Sequence, residues 1–428
     1  MLIEFSVSNF RSIKEEQFLT MVADSGKSKL KNTFTPRNNP KLRLLKSAVI
    51  YGANASGKTN VIRAFRALHF FILNSSKLDT GEDIPCYEPF AFDASYVNAP
   101  SEFKIIFLGT DNIKYDYQVK FDRKQILFEQ LDFYPKGRKA NLFVRTANHE
   151  VRKGRFFKDK REAPGRVLEN CLYLSAVGHS PHKQINEIYR YFKDRVEIWN
   201  QAHKQRDALI KHTSEILFEK DRAGLKRKLG KLVKVADTMI ENISIDEKSE
   251  EDFHFPDDLP RELKHEIIRQ NRYKIYAVHE IYEDGERTGT KDFDMKEESE
   301  GTNALYALGG LILEKFESGG VIFFGELENS LHPKLCRFLI NLFHHPRSNP
   351  ENAQLVFASH ETTLLDRDLF RKDQIWFTEK NKCAATELFS VSDFDDVPDN
   401  VPFDQWYMRG KFGGQPNIRE IEFIFDNE

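Results

Sequence analysis

The chain has 428 residues, and its 64 Lys+Arg against 66 Asp+Glu leave a formal net charge of −2. That balance excludes a globally basic nucleic-acid binder and an acidic disordered tail protein. Hydrophobic residues at 40% and aromatics at 12%, with 36 Phe among them, can fill a large core and exclude wholesale disorder.

In chain order, Leu2–Phe10 alternates apolar and polar residues and predicts a strand, not a signal peptide. No apolar stretch approaches the roughly 18 residues of a membrane span. A polar, basic loop over 25–39 leads to an apolar strand ending at Gly52, then a Gly/Ser-rich turn and an amphipathic helix from Lys58 to Leu73. Residues 101–146, rich in β-branched and aromatic side chains, predict several antiparallel strands with turns at 109–112 and 135–137.

From Pro181 the periodicity becomes helical. Ile185, Ile188, Tyr189, Phe192 and Val196 share one face, as do Leu225, Leu229, Leu232, Val233 and Ala236. Heptads are not sustained, which predicts a short helical insertion instead of a coiled-coil arm. An acidic loop, two further strands and a helix opening at Ser299 follow. The remainder alternates strand and helix, the rhythm of a parallel α/β sheet. The four cysteines, at 86, 171, 336 and 383, include no Cys-x-x-Cys pair. That spacing argues against disulfides or structural zinc and for a reducing cytoplasm.

The chemistry concentrates at a few motifs. Gly52-Ala53-Asn54-Ala55-Ser56-Gly57-Lys58-Thr59 matches G-x-x-x-x-G-K-[ST] in full, between a strand and a helix. Its backbone N–H groups would cradle the phosphates of ATP, Lys58 would reach the β- and γ-phosphates, and Thr59 would ligate Mg²⁺. The apolar run Val321–Phe324 delivers Glu326, a carboxylate able to orient water, and a second apolar run ends at Ser359-His360. Ser299-Glu300-Gly301-Thr302 opens a helix with small residues, a second candidate anion site.

This order resembles the ABC-type ATPase heads of the SMC, RecF and OLD proteins. Ser299-Glu300-Gly301-Thr302 looks like the signature motif, Glu326 like the catalytic glutamate of Walker B, Asn329-Ser330-Leu331 like the D-loop and His360 like the switch histidine. Asn9-Phe10-Arg11-Ser12 is similar to the opening motif of these heads, which implies that Arg11 lies near the nucleotide. The likeness extends to the bacterial AAA-type ATP/GTP-binding family that includes the RloA and AriA anti-phage proteins. Lys234-Val235-Ala236-Asp237, Asp373–Phe377 and Arg409-Gly410-Lys411-Phe412-Gly413 carry it further along the chain.

The resemblance implies an α/β ABC-type P-loop ATPase head with a β-rich lobe and a short helical insertion. Its expected domains are an N-terminal ATPase lobe at 1–180, the insertion at 181–272, and a C-terminal lobe at 273–428 with signature, Walker B and switch histidine. It also implies a homodimer or higher homo-oligomer through the heads, in which Ser299, Gly301 and Thr302 of one subunit close on the ATP of another. The implied role is sensor and scaffold of an anti-phage system acting through a separate protein effector, for which the resemblance suggests a TOPRIM-type nuclease.

One position departs from the family: Gly325 stands where Asp normally supports Mg²⁺, which predicts slow hydrolysis. Two alternatives stay open. One is a RecF/OLD-like DNA-binding ATPase, using the basic clusters Arg152–Arg166 and Glu219–Lys234 on a nucleic-acid backbone. The other is a nucleotide-gated scaffold without significant hydrolysis. His332, His344 and His345 are expected at caps or at the surface, Asp393–Asp396 as a solvated acidic loop, and Gln184 as the nearest candidate for the family's Q-loop glutamine.

Overall fold

Ser47–Gly52 is buried at every position, the mark of a strand covered on both faces of a parallel sheet. In the computed structural model it sits inside a six-stranded sheet, in the order Val196–Trp199, Val321–Phe324, Gln354–Ala358, Ser47–Gly52, Ile375–Lys380, Thr386–Ser390. The first five strands are parallel and the last is antiparallel. The residues described are 1–147, 150–199, 205–219, 223–236, 239–256, 258–329, 331–395, 397–398 and 401–415.

Parallel pairing puts the carboxyl ends of these strands along one edge. Phe324 pairs with Phe357 and Ala358 with Ile50, so the segments leaving after Phe324, Ala358 and Gly52 emerge side by side. Ligands of open α/β sheets bind at that edge. The strand preceding His360 lies between the phosphate-loop strand and the strand preceding Glu326.

A seven-stranded antiparallel sheet forms the β-rich lobe, in the order Val151–Lys153, Ala140–Thr146, Ile126–Phe133, Lys114–Phe121, Ser101–Leu108, Leu2–Ser8, Gln17–Thr20. Its strands alternate buried and half-buried residues, most regularly over Lys114–Phe121. Much of the phenylalanine excess is spent here: Phe103 stacks on Phe121 (5.6 Å) and meets Phe5 (6.3 Å) and Phe10 (5.5 Å). The buried Glu129 carboxylate accepts from Tyr117 Oη (2.9 Å), Tyr173 N (2.7 Å) and Leu174 N (3.0 Å), and faces the buried Arg145 guanidinium at 3.8 Å. Gln354 ties this lobe to the parallel sheet, accepting from Leu2 N (2.7 Å) and donating to Leu2 O and Leu45 O (both 3.0 Å).

The chain folds as two compact units. The first comprises Met1–Asn200, Gly319–Glu326 and Leu339–Glu428, and holds both sheets above. The second comprises Gln201–Ser318 and Leu327–Phe338. In it the helices Arg206–Glu219, Ala223–Ala236 and Glu300–Ser318 accompany a three-stranded antiparallel sheet of Ile240–Glu247, Tyr273–Glu283 and Glu286–Asp294. Leu225, Leu229, Leu232 and Val233 are buried, as their spacing predicts.

Val196 departs from the helical reading. The helix Lys183–Arg195 stops before it, and Val196–Trp199 pairs in parallel with Val321–Phe324, Val196 opposite Val321. The open edge of Val321–Phe324 needs a partner for its backbone groups, and that requirement overrides helical periodicity.

Candidate functional site

The phosphate loop bends where its sequence permits. Gly52 (φ 153°) and Gly57 (φ 117°) occupy backbone regions that side chains disfavour, and Ala55 (φ 63°) joins them despite its Cβ. A Cβ at Gly52 would lie 2.4 Å from Thr378 O, and one at Gly57 only 2.1 Å from Thr386 Oγ1. The helix Lys58–Asn74 starts directly from the loop and buries Val61, Ile62, Phe65 and Leu68, with Phe65 stacked on Phe323 at 4.0 Å. Lys58 is buried, and its ammonium donates to the carbonyls of Gly52 (2.7 Å) and Ala53 (3.0 Å). Asn54 and Ala55 are exposed at the mouth of the loop, and Thr59 is half-buried in the first helical turn.

Residues outside the motif hold this loop. Ser56 Oγ meets Thr378 Oγ1 at 2.6 Å, while Thr386 Oγ1 donates to Ser56 O at 2.8 Å. Thr386 also contacts Ser12 Oγ (2.8 Å), and Asn60 Nδ2 donates to Ser12 Oγ (2.7 Å). Sequence reasoning missed Thr378, Thr386 and Asn60 as site residues. Neither threonine belongs to a motif, and only the place of Ser12 beside Arg11 gave a hint.

Arg11 lies in a tight turn closed by reciprocal backbone bonds between Phe10 and Ile13 (both 2.8 Å). Its φ is 51° and its guanidinium pairs with Glu88. Asn9 (φ 49°) anchors the turn through its amide, which donates to Ala99 O (2.7 Å) and accepts from Phe90 N (2.8 Å).

At the strand ends, Glu326 Oε1 and His360 Nε2 stand 3.9 Å apart. The structure thus brings the carboxylate and the imidazole together. Ser359 N donates to Ile50 O (3.0 Å), and Tyr51 Oη donates to Glu361 O (3.0 Å), which fixes the His360 segment beside the phosphate-loop strand. Gly325 is buried, and its N–H donates to Trp199 O at 2.9 Å.

The residues read as a signature motif, Ser299–Thr302, lie in the second unit. Ser299 Oγ accepts from Thr302 N (3.1 Å) and meets Thr302 Oγ1 at 2.8 Å, capping the helix Glu300–Ser318. The Asn303 amide bonds the carbonyls of Met295 (2.9 Å), Glu298 (3.1 Å) and Ser299 (3.1 Å), and His279 holds Glu298 at 2.7 Å. Ser299 is exposed, Gly301 half-buried and Thr302 buried. Asn329 is half-buried, and Leu331 N donates to Glu328 O (2.9 Å) in the turn around it; Ser330 lies outside the described residues.

One expectation changes. His344 is buried, not superficial: its Nε2 meets Ser47 Oγ at 2.8 Å, and burial beside Lys31 and Lys46 lowers its pKa to about 3. His332 and His345 do cap, through Lys334 N (3.1 Å) and Arg347 N (3.2 Å). Gln184 is engaged with the loop at 156–158, accepting from Lys158 N (2.9 Å) and donating to Phe156 O (3.2 Å). Asp393 accepts from Ser390 N (2.7 Å) as a cap; Asp396 lies outside the described residues.

The glycine cradle, where a Cβ would collide, suits phosphate. The Thr59 hydroxyl and Glu326 carboxylate are hard oxygen donors of the kind Mg²⁺ takes alongside phosphates. Among the described residues, no group of three or more His, Cys, Asp or Glu could hold a metal unaided.

A phosphate loop, an interposed strand and a carboxylate at the third strand end are the layout of an α/β P-loop ATPase fold. The chain belongs to the family described as "AAA domain, putative AbiEii toxin, Type IV TA system", matched over residues 47–366. No curated protein sequence matches it. Among solved structures it is similar to an Smc head bound to the C-terminal winged-helix domain of ScpA (15% identity, 91% of this chain and 97% of that one, TM-score 0.44). It is also similar to a Pyrococcus furiosus Smc head with an extended coiled coil, bound to the C-terminal domain of ScpA (13%, 91% and 96%, TM-score 0.45). A third is the recombination mediator RecF with ATP (13%, 91% and 97%, TM-score 0.34). No helix among the described residues is long and apolar enough to cross a membrane.

Proposed function

We propose that this ATPase head binds ATP with Mg²⁺, associates head to head around the nucleotide, hydrolyses it slowly, and passes its state to a separate protein effector in a bacterial anti-phage system. The observation that carries the reading is the juxtaposition of the glycine cradle and Lys58 with the strand that leads to His360, which stands 3.9 Å from Glu326. Mg²⁺ bound with ATP neutralises phosphate charge. Lys58, now on the Gly52 and Ala53 carbonyls, supplies a cation for the phosphates, and Glu326 orients water with His360 beside it. The capped helix start at Ser299–Thr302 serves the nucleotide of a second copy, so association depends on the γ-phosphate. Gly325 accounts for slow turnover, and the toxin–antitoxin description of the family supports a defence role.

The test compares wild type with Lys58→Ala, Glu326→Gln and Gly301→Trp for ATP affinity, phosphate release and ATP-dependent mass. Lys58→Ala is expected to lose ATP. Glu326→Gln should keep ATP and accumulate as the dimer, and Gly301→Trp should bind ATP yet stay monomeric. Undiminished affinity in Lys58→Ala would overturn the site; full association of Gly301→Trp would overturn the head-to-head arrangement.

A further inference from the structure

The hydrogen bonds around Ser56 have a direction that proton counting fixes. Thr386 has one hydroxyl proton, and it goes to Ser56 O (2.8 Å). In the 2.8 Å contact between Ser12 and Thr386 the proton therefore comes from Ser12, whose oxygen in turn accepts from Asn60 Nδ2 (2.7 Å). The bonds run one way, from Asn60 to Ser12 to Thr386 to Ser56, and close a ring over Gly57-Lys58-Thr59. Bonds aligned in this manner polarise one another. Ser56 and Thr386 are 3% and 1% exposed and Ser12 is 9% exposed, so water is poorly placed to replace a lost member. Thr386 N also donates to Ser12 O (2.7 Å), and Thr386 Oγ1 fills the space that a Cβ on Gly57 would take.

We propose that Thr386, working through Ser12 and Asn60, is a positioning residue for nucleotide phosphate: its hydroxyl clamps the 56–60 segment so that Lys58 and Thr59 are held ready, and it links that readiness to the turn carrying Arg11. This rests on the nucleotide reading above. The clamp acts on the segment that would grip phosphate, so its loss is expected in ATP affinity before it appears in the fold.

The experiment measures ATP affinity by calorimetry, and the nucleotide-free thermal midpoint, for wild type, Thr386→Val, Thr386→Ser and Ser12→Ala in the full chain. Thr386→Val keeps the shape and removes the hydroxyl; it should weaken ATP about tenfold while the midpoint moves by less than about 4 °C. Thr386→Ser should stay within about twofold of wild type, and Ser12→Ala should weaken ATP like the valine variant. The proposal is overturned if Thr386→Val binds ATP as wild type does, or if valine and serine weaken it equally, since packing and not the hydroxyl would then matter. Should Thr386→Val not fold, Ser12→Ala against Thr386→Ser decides: equal, wild-type affinities overturn the clamp, and loss in Ser12→Ala alone supports it. A wild-type protein that fails to bind ATP overturns the nucleotide reading itself, an outcome visible before any variant is made.

Discussion

At Gly325 the chain gives a backbone N–H to Trp199 O and offers no side chain, so the strand end carries one carboxylate, Glu326, in place of two. Groups that support a metal's ligands are typically worth roughly 10- to 100-fold in affinity or activity. Gly325→Asp is therefore expected to speed single-turnover hydrolysis or lower the Mg²⁺ required, read across a Mg²⁺ series. Unchanged rate and Mg²⁺ dependence would show that the missing anchor lies elsewhere. His344 supplies a second prediction. Its pKa falls from 6.5 to about 3, chiefly because burial disfavours the imidazolium and secondarily because Lys31 and Lys46 are near. Between those two values the unfolded chain binds a proton that the folded chain refuses. Its contribution to stability is therefore complete above pH 6.5 and is lost as pH falls toward 3, by up to about 1.4 kcal/mol per pH unit. Urea midpoints from pH 7.5 to 5 should fall less steeply for His344→Gln than for wild type; parallel slopes would refute the assignment.

Within elements, the helix Glu300–Ser318 shows why small residues stand where they do. A Cβ on Gly309 would lie 2.6 Å from Leu232 Cδ2, and one on Gly310 would lie 2.2 Å from Thr213 Cγ2. Thr213 Oγ1 donates to Ala307 O (2.8 Å), so the neighbouring helix is pinned at this close approach and cannot easily retreat. Gly310→Val should destabilise the protein by about 1–3 kcal/mol, as overpacking does, seen as a lowered denaturation midpoint. A midpoint equal to wild type would mean that the interface yields. Elements differ in how far their own residues announce them. The strand Ser47–Gly52, the phosphate loop and the helix Lys58–Asn74 are legible because apolar run, glycines and amphipathic period lie within one stretch of chain. Val196–Trp199 is not. Val, Ile and Trp are strand formers, but the run is only four residues long and follows directly on a helical period; what settles it as a strand is the edge of Val321–Phe324, which no local reading supplies.

For the molecule as a whole, motif residues can be read because each motif is contiguous, whereas the supports of the site cannot. His344 reads as a surface residue because its neighbours His345 and Pro346 suggest a loop; it is buried by Ser47 and Phe370, which reach it from other parts of the chain. Likewise Ser12 and Thr386 are 374 residues apart in sequence and meet hydroxyl to hydroxyl beside the phosphate loop, where Thr386 donates to Ser56 O. That separation has a consequence for synthesis. On the ribosome, the phosphate motif emerges more than 300 residues before the threonine proposed to brace it. At translation speeds of roughly 5–20 residues per second, the interval is on the order of half a minute. Until then the nascent loop lacks the brace proposed for it, so firm ATP binding is expected only after Thr386 has been made.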